Sequence, residues 1–139
     1  MASEVSVSIA APPARVWEVL VDIRRWPEWT PSVEWVKFDE PELTVGSTAV
    51  LKQPKLPVST WRVTELEPER SFVWVSKAGG VTTTATHLLE PEGSGCRVTL
   101  RITHRGLIAP LAELMSRKLT RQYLQQEAEG LRRRSEQTD

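Results

Sequence analysis

The stretch PPARVWEVLVDIRRWPEWTPSVEWV, residues 12–36, decides the fold more than any other part of this chain. Its apolar residues recur at the spacing of one helical face, while charged residues occupy the opposite face; the apolar positions are Val16, Trp17, Leu20 and Ile23. Proline disfavours the helical region for the residue before it, so we expect Pro27 to end this helix before Trp26. An amphipathic helix so close to the N-terminus restricts the folds available to the rest of the chain.

The segments on either side of this helix have the patterns of β-strands. Val5, Val7 and Ile9 alternate with polar residues, as in a strand with one buried face. After the helix, apolar-alternating runs separated by turn residues predict six more strands, at 33–38, 47–52, 58–66, 71–76, 81–89 and 96–104. The short connections favour antiparallel neighbours, and Gly79-Gly80 predicts a tight hairpin turn with positive φ.

From residue 108 onward the apolar spacing becomes that of a second, longer helix. One predicted stripe contains Ile108, Leu111, Ala112, Met115, Leu119 and Tyr123. We expect a helix of roughly 20 to 25 residues, which is about 30 to 38 Å at 1.5 Å per residue. Because the stripe is lost near the C-terminus, residues from about 132 to 139 are expected to fray.

Length and composition favour a soluble protein with a single domain spanning residues 1–139. Eighteen basic residues balance eighteen acidic ones, so no global field attracts nucleic acid or an anionic membrane. The N-terminus lacks a signal-peptide pattern, and no apolar run approaches the roughly 20 residues that a membrane span requires. We therefore expect a cytoplasmic protein. Cys96 is the one cysteine, which excludes an internal disulfide and a cysteine-based zinc cluster.

The expected order of elements implies a cavity. An antiparallel sheet of seven strands twists and curls into a concave surface, and a straight helix laid across it touches the rims more easily than the floor. Unless large side chains fill the gap, an apolar pocket remains between helix and sheet, and such pockets commonly hold small molecules.

Several segments resemble a known superfamily. The segments are ARVW (14–17), DIRRWPEW (22–29), VTELEP (63–68) and EPEGSG (90–95). Together with the order of elements, they resemble the START-like or Bet v 1-like helix-grip superfamily, and within it the bacterial polyketide cyclase/dehydrase branch. The resemblance implies an α+β helix-grip fold: a seven-stranded curved antiparallel sheet wrapped around a long C-terminal helix, with two short helices after the first strand. It also implies a hydrophobic ligand between the sheet and that helix.

The sequence offers few groups for catalysis. His87 and His104 are its two histidines, no serine lies in a Gly-x-Ser-x-Gly motif, and no spacing suits a metal site or a phosphate loop. We therefore expect neither a metal nor another cofactor. Strict alternation puts His104 on the same face as Leu100 and Ile102, where it would end at the cavity wall as a hydrogen-bond donor or acid–base group. The alternative is a rim histidine that caps backbone or meets solvent.

Ten residues are candidates for contact with a ligand; alternation and helical spacing select them, except that His87 lies in a run, residues 82–89, without clear inward parity. The ten are Trp61, Val63, Trp74, His87, Leu100, Ile102, His104, Met115, Leu119 and Tyr123. Trp61 and Trp74 would supply flat walls for an aromatic guest, and the alternative for each is plain packing in the core. The resemblance also implies, for true aromatic cyclases, a pocket arginine on a middle strand. The nearest candidate, Arg62, has the opposite parity to Trp61, so one of the two must point outward.

Three functional hypotheses follow from the sequence. The first is a protein that binds a small hydrophobic molecule such as a lipid, a polyketide or another aromatic compound. The second is a polyketide cyclase/dehydrase-type enzyme in which His104 acts on a substrate in the same cavity. The third is a structural or regulatory protein with a filled core that docks a protein partner through its sheet. A monomer and a homodimer are both compatible with the sequence, and Trp35 is the first residue to suspect in a dimer interface.

Overall fold

The computed structural model describes residues 2–137, which form one antiparallel sheet and a set of helices. The strands are β1 (Ala2–Ile9), β2 (Trp35–Lys37), β3 (Thr48–Lys52), β4 (Ser59–Glu67), β5 (Ser71–Ala78), β6 (Val81–Glu92) and β7 (Gly95–Arg105). The helices are α1 (Pro13–Val21), a 3₁₀ turn (Ile23–Arg25), α2 (Trp26–Trp29) and α3 (Ala109–Glu136). The strand order is β1-β7-β6-β5-β4-β3-β2, which confirms the predicted α+β helix-grip architecture.

The period-two patterns place the apolar side of the sheet against α3. In β4, Trp61 and Val63 are buried whereas Arg62 is exposed, so it is Trp61 that faces the interior. The turn between β5 and β6 consists of Gly79 and Gly80, both with positive φ (58° and 79°). This two-residue turn follows the right-handed twist of the flanking strands, as the sequence predicted.

The prediction that Pro27 ends the first helix is wrong. Helix α1 stops at Val21, and Asp22 leaves helical geometry with φ −85° and ψ 69°. Trp26 is helical (φ −52°, ψ −41°) and starts α2, whose first turn accommodates Pro27 because that amide needs no helical partner. The buried Trp26 indole donates a hydrogen bond to the Leu20 carbonyl (2.9 Å), so tertiary contacts outweigh the local preference against helix before proline.

The predicted apolar stripe of α3 is wrong in its first two turns. Ile108, Leu111 and Met115 are exposed, whereas Ala109 is buried and Ser116 faces the interior. The C-terminal half of α3 packs Leu124, Ala128 and Leu131 against the core. Those contacts fix the rotation of the whole helix about its axis, and this rotation directs the large apolar residues of the first turns toward solvent.

The C-terminal end of α3 is anchored, so the expected fraying from about residue 132 is wrong as far as Glu136. Leu131 is fully buried, and the Arg15 guanidinium of α1 donates to the Arg134 carbonyl (3.2 Å). The backbone N–H of Ala10 donates to the Glu136 carboxylate (2.8 Å). The last two residues of the predicted tail lie outside the described part of the chain.

Aromatic side chains fill the interior at the end of the sheet next to α1 and α2. Trp26 contacts Trp29 and Trp74 with ring centroids 5.7 and 5.2 Å apart, and Phe72 lies 4.9 Å from Trp74. All four rings are buried. Rings of this size at these separations leave little free volume, so any cavity must lie toward the other end of α3.

Candidate functional site

A cavity of about 260 Å³ lies between the sheet and the part of α3 from Ser116 to Glu127. This volume is slightly below the roughly 300 to 1,000 Å³ of typical small-molecule sites. The wall residues on the strands and the β3–β4 loop are Gln53, Leu56, Pro57, Ser59, Trp61, Ser76, Ala78, Thr83, Ile102 and His104. Those on the helix are Ser116, Thr120, Tyr123, Leu124 and Glu127.

Small side chains keep this cavity open. Where the C-terminal half of α3 presents Leu124 and Leu131 to the core, its first turns present Ser116 and Thr120 to the cavity. The Ser116 hydroxyl donates to the Ala112 carbonyl of its own helix (2.7 Å), so it needs no partner across the gap. The twisted sheet and the straight helix therefore separate here without large side chains between them.

Two hydrogen bonds organise the polar groups of the cavity wall. The Trp61 indole N–H donates to the Ser59 hydroxyl (2.9 Å), so this N–H already has a partner within the protein. The Tyr123 hydroxyl donates to the Pro54 carbonyl and ties the β3–β4 loop to α3. Burial, and secondly the charge of Glu34, raise the pKa of the Tyr123 hydroxyl. It therefore remains a neutral donor at neutral pH.

A histidine–glutamate pair lies at the inner end of the cavity. His87 Nδ1 is 2.9 Å from the Phe72 carbonyl, which only accepts, so Nδ1 carries a proton. His87 Nε2 is 3.2 Å from Glu127 Oε1, at ion-pair distance. This buried Oε1 nevertheless accepts no hydrogen bond from the residues that the structure describes. Because Glu127 is part of the cavity wall, its carboxyl group is an acceptor available to a ligand.

Sequence reasoning missed Glu127 although a signal was present. Glu127 lies four residues after Tyr123 and four before Leu131, both on the buried side of α3. This spacing puts it on the inward face. The flanking run of glutamine and glutamate concealed the position, because a polar residue in such a run is normally solvated.

The structure brings some of the predicted ligand residues together and separates others. Trp61, Ile102, His104 and Tyr123 lie on the cavity wall. Four others are buried in the packing behind it: Val63, Trp74, His87 and Leu100. Leu119 is partly buried but does not line the cavity. Met115 is exposed, so its assignment to the cavity is wrong, because the rotation of α3 turns it away from the sheet.

None of the described residues on the cavity wall carries a permanent positive charge. The parity conflict in β4 leaves Arg62 on the outer face of the sheet, and none of the described wall residues is arginine or lysine. Among the residues whose side chains the structure describes, no three His, Cys, Asp or Glu residues approach closely enough to hold a metal ion. None of the helices in the described part of the chain has both the length and the apolar character needed to cross a bilayer.

Comparison with known proteins identifies relatives over nearly the whole chain. A family model described as polyketide cyclase / dehydrase and lipid transport matches residues 2–136. A search of curated proteins found no significant match.

Solved structures show the same fold at low sequence identity. TTHA0849 from Thermus thermophilus is 21% identical and superimposes with a TM-score of 0.78, with 97% of each chain covered. The Zhui aromatase/cyclase from Streptomyces sp. R1128 is 19% identical with a TM-score of 0.76, covering 98% of this chain and 93% of that one. The di-domain ARO/CYC StfQ of the steffimycin biosynthetic pathway is 16% identical with a TM-score of 0.76, covering 97% of this chain and 50% of that one.

Proposed function

This chain belongs to the polyketide cyclase/dehydrase and lipid transport family, and from that premise we propose that it binds a small hydrophobic molecule between its sheet and α3. The observation that carries the proposal is the cavity kept open by Ser116 and Thr120 at a position where the same helix otherwise packs against the core. A protein that used this fold only as a scaffold would gain stability by filling the space with a leucine, at roughly 0.8 kcal/mol per buried CH₂ group.

The wall chemistry narrows the class of ligand. Trp61, Ile102 and Leu124 offer apolar area, which suits a lipid chain or a fused aromatic system. Glu127 Oε1 adds one buried acceptor at the inner end. The best fit is an apolar molecule that carries one hydroxyl or N–H group at the end that enters first.

A filling variant and a matched control test ligand binding. Thr120→Leu enlarges a side chain of the cavity wall, while Gln122→Leu makes a leucine on the exposed side of the same helix. The probe is N-phenyl-1-naphthylamine, a neutral dye whose fluorescence rises in apolar surroundings and which carries one N–H donor. We expect saturable binding at one site in the wild type, at least tenfold weaker binding in Thr120→Leu and less than a twofold change in Gln122→Leu. A flat wild-type titration, or equal binding by both variants, would contradict the proposal.

A second candidate is catalysis of the cyclase/dehydrase type in the same cavity. The observation that favours it is the presence of two acid–base groups in the same cavity, Glu127 on α3 and His104 on β7. Glu127 would remove a proton from the carbon next to a ketone, and the enolate would attack a second carbonyl to form a C–C bond. His104 would protonate the resulting alkoxide. Binding remains the first candidate, because no arginine or lysine among the described wall residues offers charge to the enolate.

Proton exchange separates the two candidates. An enzyme should speed the exchange of the methyl hydrogens of 2-acetylnaphthalene in D₂O, followed by NMR, and Glu127→Gln should lower that rate on the order of a hundredfold. Glu129→Gln is the control, because Glu129 is exposed on the same helix and paired with Arg132. His104→Ala should leave binding of the dye within a few-fold in either case. Exchange no faster than in buffer would exclude the enzyme candidate and leave the binding protein.

A further inference from the structure

The start of α3 carries a cluster of large apolar side chains that face solvent. Leu107 is 101% exposed and Met115 80%, with Leu114 at 66%, Leu111 at 58% and Ile108 at 50%. We call these five residues the α3 patch. Single exposed leucines are ordinary on protein surfaces, but five large apolar residues within nine positions mark an interaction site.

The α3 patch lies beside the cavity, at one end of the sheet. Ser116, the next residue after Met115, belongs to the cavity wall. At the base of the patch, Gly106 lies against the β5–β6 turn so closely that a Cβ on it would be 2.1 Å from the Gly80 carbonyl oxygen. The antiparallel topology puts the β3–β4 loop at this same end, and that loop also lines the cavity.

Charge is segregated along the molecule although the net charge is zero. Residues 105–121 contain four basic residues, Arg105, Arg117, Lys118 and Arg121, and one acidic residue, Glu113. The β3–β4 loop and the last turn-side residues of β5 at the same end add Lys55 and Lys77, both exposed. The opposite end of the sheet carries five acidic residues, Glu65, Glu67, Glu69, Glu90 and Glu92, against two basic ones, Arg70 and Arg97. The end with the apolar patch therefore has an excess of basic residues, and the opposite end has an excess of acidic ones.

We propose that this end of the protein docks on an anionic membrane surface, with the α3 patch in the bilayer interface and the basic side chains at the lipid headgroups. Apolar side chains next to lysine and arginine are the combination that gives peripheral proteins affinity for anionic bilayers. A second copy of the chain fits less well, because a two-fold dimer through this patch would bring the same basic residues together. Docking here turns the cavity toward the lipid, from which an apolar ligand can enter.

Vesicle flotation tests this proposal with variants that leave the cavity intact. The probes are vesicles of phosphatidylcholine alone and with 30% phosphatidylserine. We expect binding to the anionic vesicles that weakens as salt is raised. Lys118→Gln/Arg121→Gln should bind on the order of 25-fold more weakly, at roughly fivefold per basic residue. Leu111→Gln/Met115→Gln should lose at least tenfold. The controls are Leu88→Gln and Arg70→Gln, exposed residues toward the opposite end of the molecule, which should bind like the wild type.

Three results would overturn the docking proposal. They are no binding to anionic vesicles at low salt, equal binding by patch variants and controls, and a wild-type dimer in analytical ultracentrifugation that Leu111→Gln/Met115→Gln converts to a monomer. The last result would assign the patch to a second copy. Binding of N-phenyl-1-naphthylamine in the absence of vesicles tests the cavity alone, so failure of the docking proposal and failure of the proposed function are distinguishable.

Discussion

His87 and Glu127 stand at the boundary between the filled and the open parts of the interior. The His87 ring stacks on Phe72 with centroids 4.6 Å apart, on the filled side, while Glu127 reaches the cavity. The Phe72 carbonyl fixes the proton on Nδ1 and leaves Nε2 for the carboxyl group. A buried polar pair contributes little net stability but is costly to break. We therefore interpret the pair of His87 and Glu127 as a feature of the cavity and not as a source of stability.

At the residue scale, Gly130 provides a prediction for stability. A Cβ at this position would lie 1.9 Å from the Trp29 carbonyl oxygen, where α3 crosses α2. We expect Gly130→Ala to lower the free energy of unfolding by about 1 to 3 kcal/mol, because the two helices must move apart. This is the net loss, after subtraction of the roughly 1 kcal/mol by which alanine favours a helix over glycine. Urea unfolding measures the change.

Arg133→Ala is the control for Gly130→Ala, because Arg133 is exposed and alanine is again a good helix former. It should change the free energy of unfolding by less than about 0.5 kcal/mol. A Gly130→Ala protein more stable than the wild type would show that α2 and α3 are not held at this distance.

At the element scale, α3 consists of two halves with different tasks. Its C-terminal half is part of the core and is fixed by α1 and α2. The Arg134 guanidinium donates a hydrogen bond to the Glu28 carboxylate of α2 (2.6 Å). This hydrogen bond lowers the pKa of the Glu28 carboxyl. Its N-terminal half lines the cavity with small residues and exposes the α3 patch. One helix thus links the binding site to the proposed docking surface.

The contact between Arg15 and the end of α3 gives a prediction at this scale. The Arg15 guanidinium donates to the carbonyls of Arg134 (3.2 Å) and Ser135 (3.4 Å), which lie in the last turn of the helix, and its charge suits the helix dipole. Arg15→Met keeps most of the side-chain length and removes these bonds. We expect faster amide hydrogen exchange in the last turn of α3 and a loss of about 1 kcal/mol in the free energy of unfolding.

Arg25→Met is the matched control, because the contacts of Arg25 are with the exposed carboxylates of Asp22 and Glu28. Such surface pairs contribute little, so exchange at the end of α3 should stay at its wild-type rate. If Arg15→Met left that exchange unchanged as well, packing of Leu131 alone would hold the C-terminal turn.

At the scale of the whole molecule, the interior is divided along its length. Tryptophan and phenylalanine rings fill the end beside α1 and α2, and the cavity occupies the end with the basic turns and the α3 patch. Segments with few buried apolar contacts open more readily than a packed core. The division therefore allows the cavity end to open for a ligand while the filled end maintains the fold.

This division predicts a gradient of amide hydrogen exchange along α3. Amides of residues 109–120 should exchange faster than those of residues 121–136. Adding N-phenyl-1-naphthylamine should slow exchange in the first segment and around the wall residues Tyr123, Leu124 and Glu127, and leave residues 128–136 unchanged, because bound ligand stabilises the closed form of the cavity end. Mass spectrometry on peptic peptides measures both effects. Uniform exchange along α3, or protection of the second segment alone, would contradict the division.

The sequence by itself determined the elements and the side of each strand that faces inward. Period-two alternation requires only that one face of the sheet is buried. It correctly placed Trp61 and Arg62 on opposite faces of β4, and the structure shows that the face of Trp61 is the buried one. The same local information predicted the Gly79-Gly80 turn, because positive φ at two consecutive positions is a property of the residues themselves.

Only the tertiary structure decided how α3 is rotated, and with it the site. Helical spacing defines an apolar stripe, but it does not say which part of the stripe is buried when the two halves of one helix have apolar residues on different faces. Here the packing of Leu124 and Leu131 in the core determined the rotation of α3. That choice exposed Met115, brought Glu127 to the cavity and paired it with His87, 40 positions away in the sequence. The free volume of the cavity likewise depends on how all of its wall residues pack together, so it cannot be predicted from any one residue.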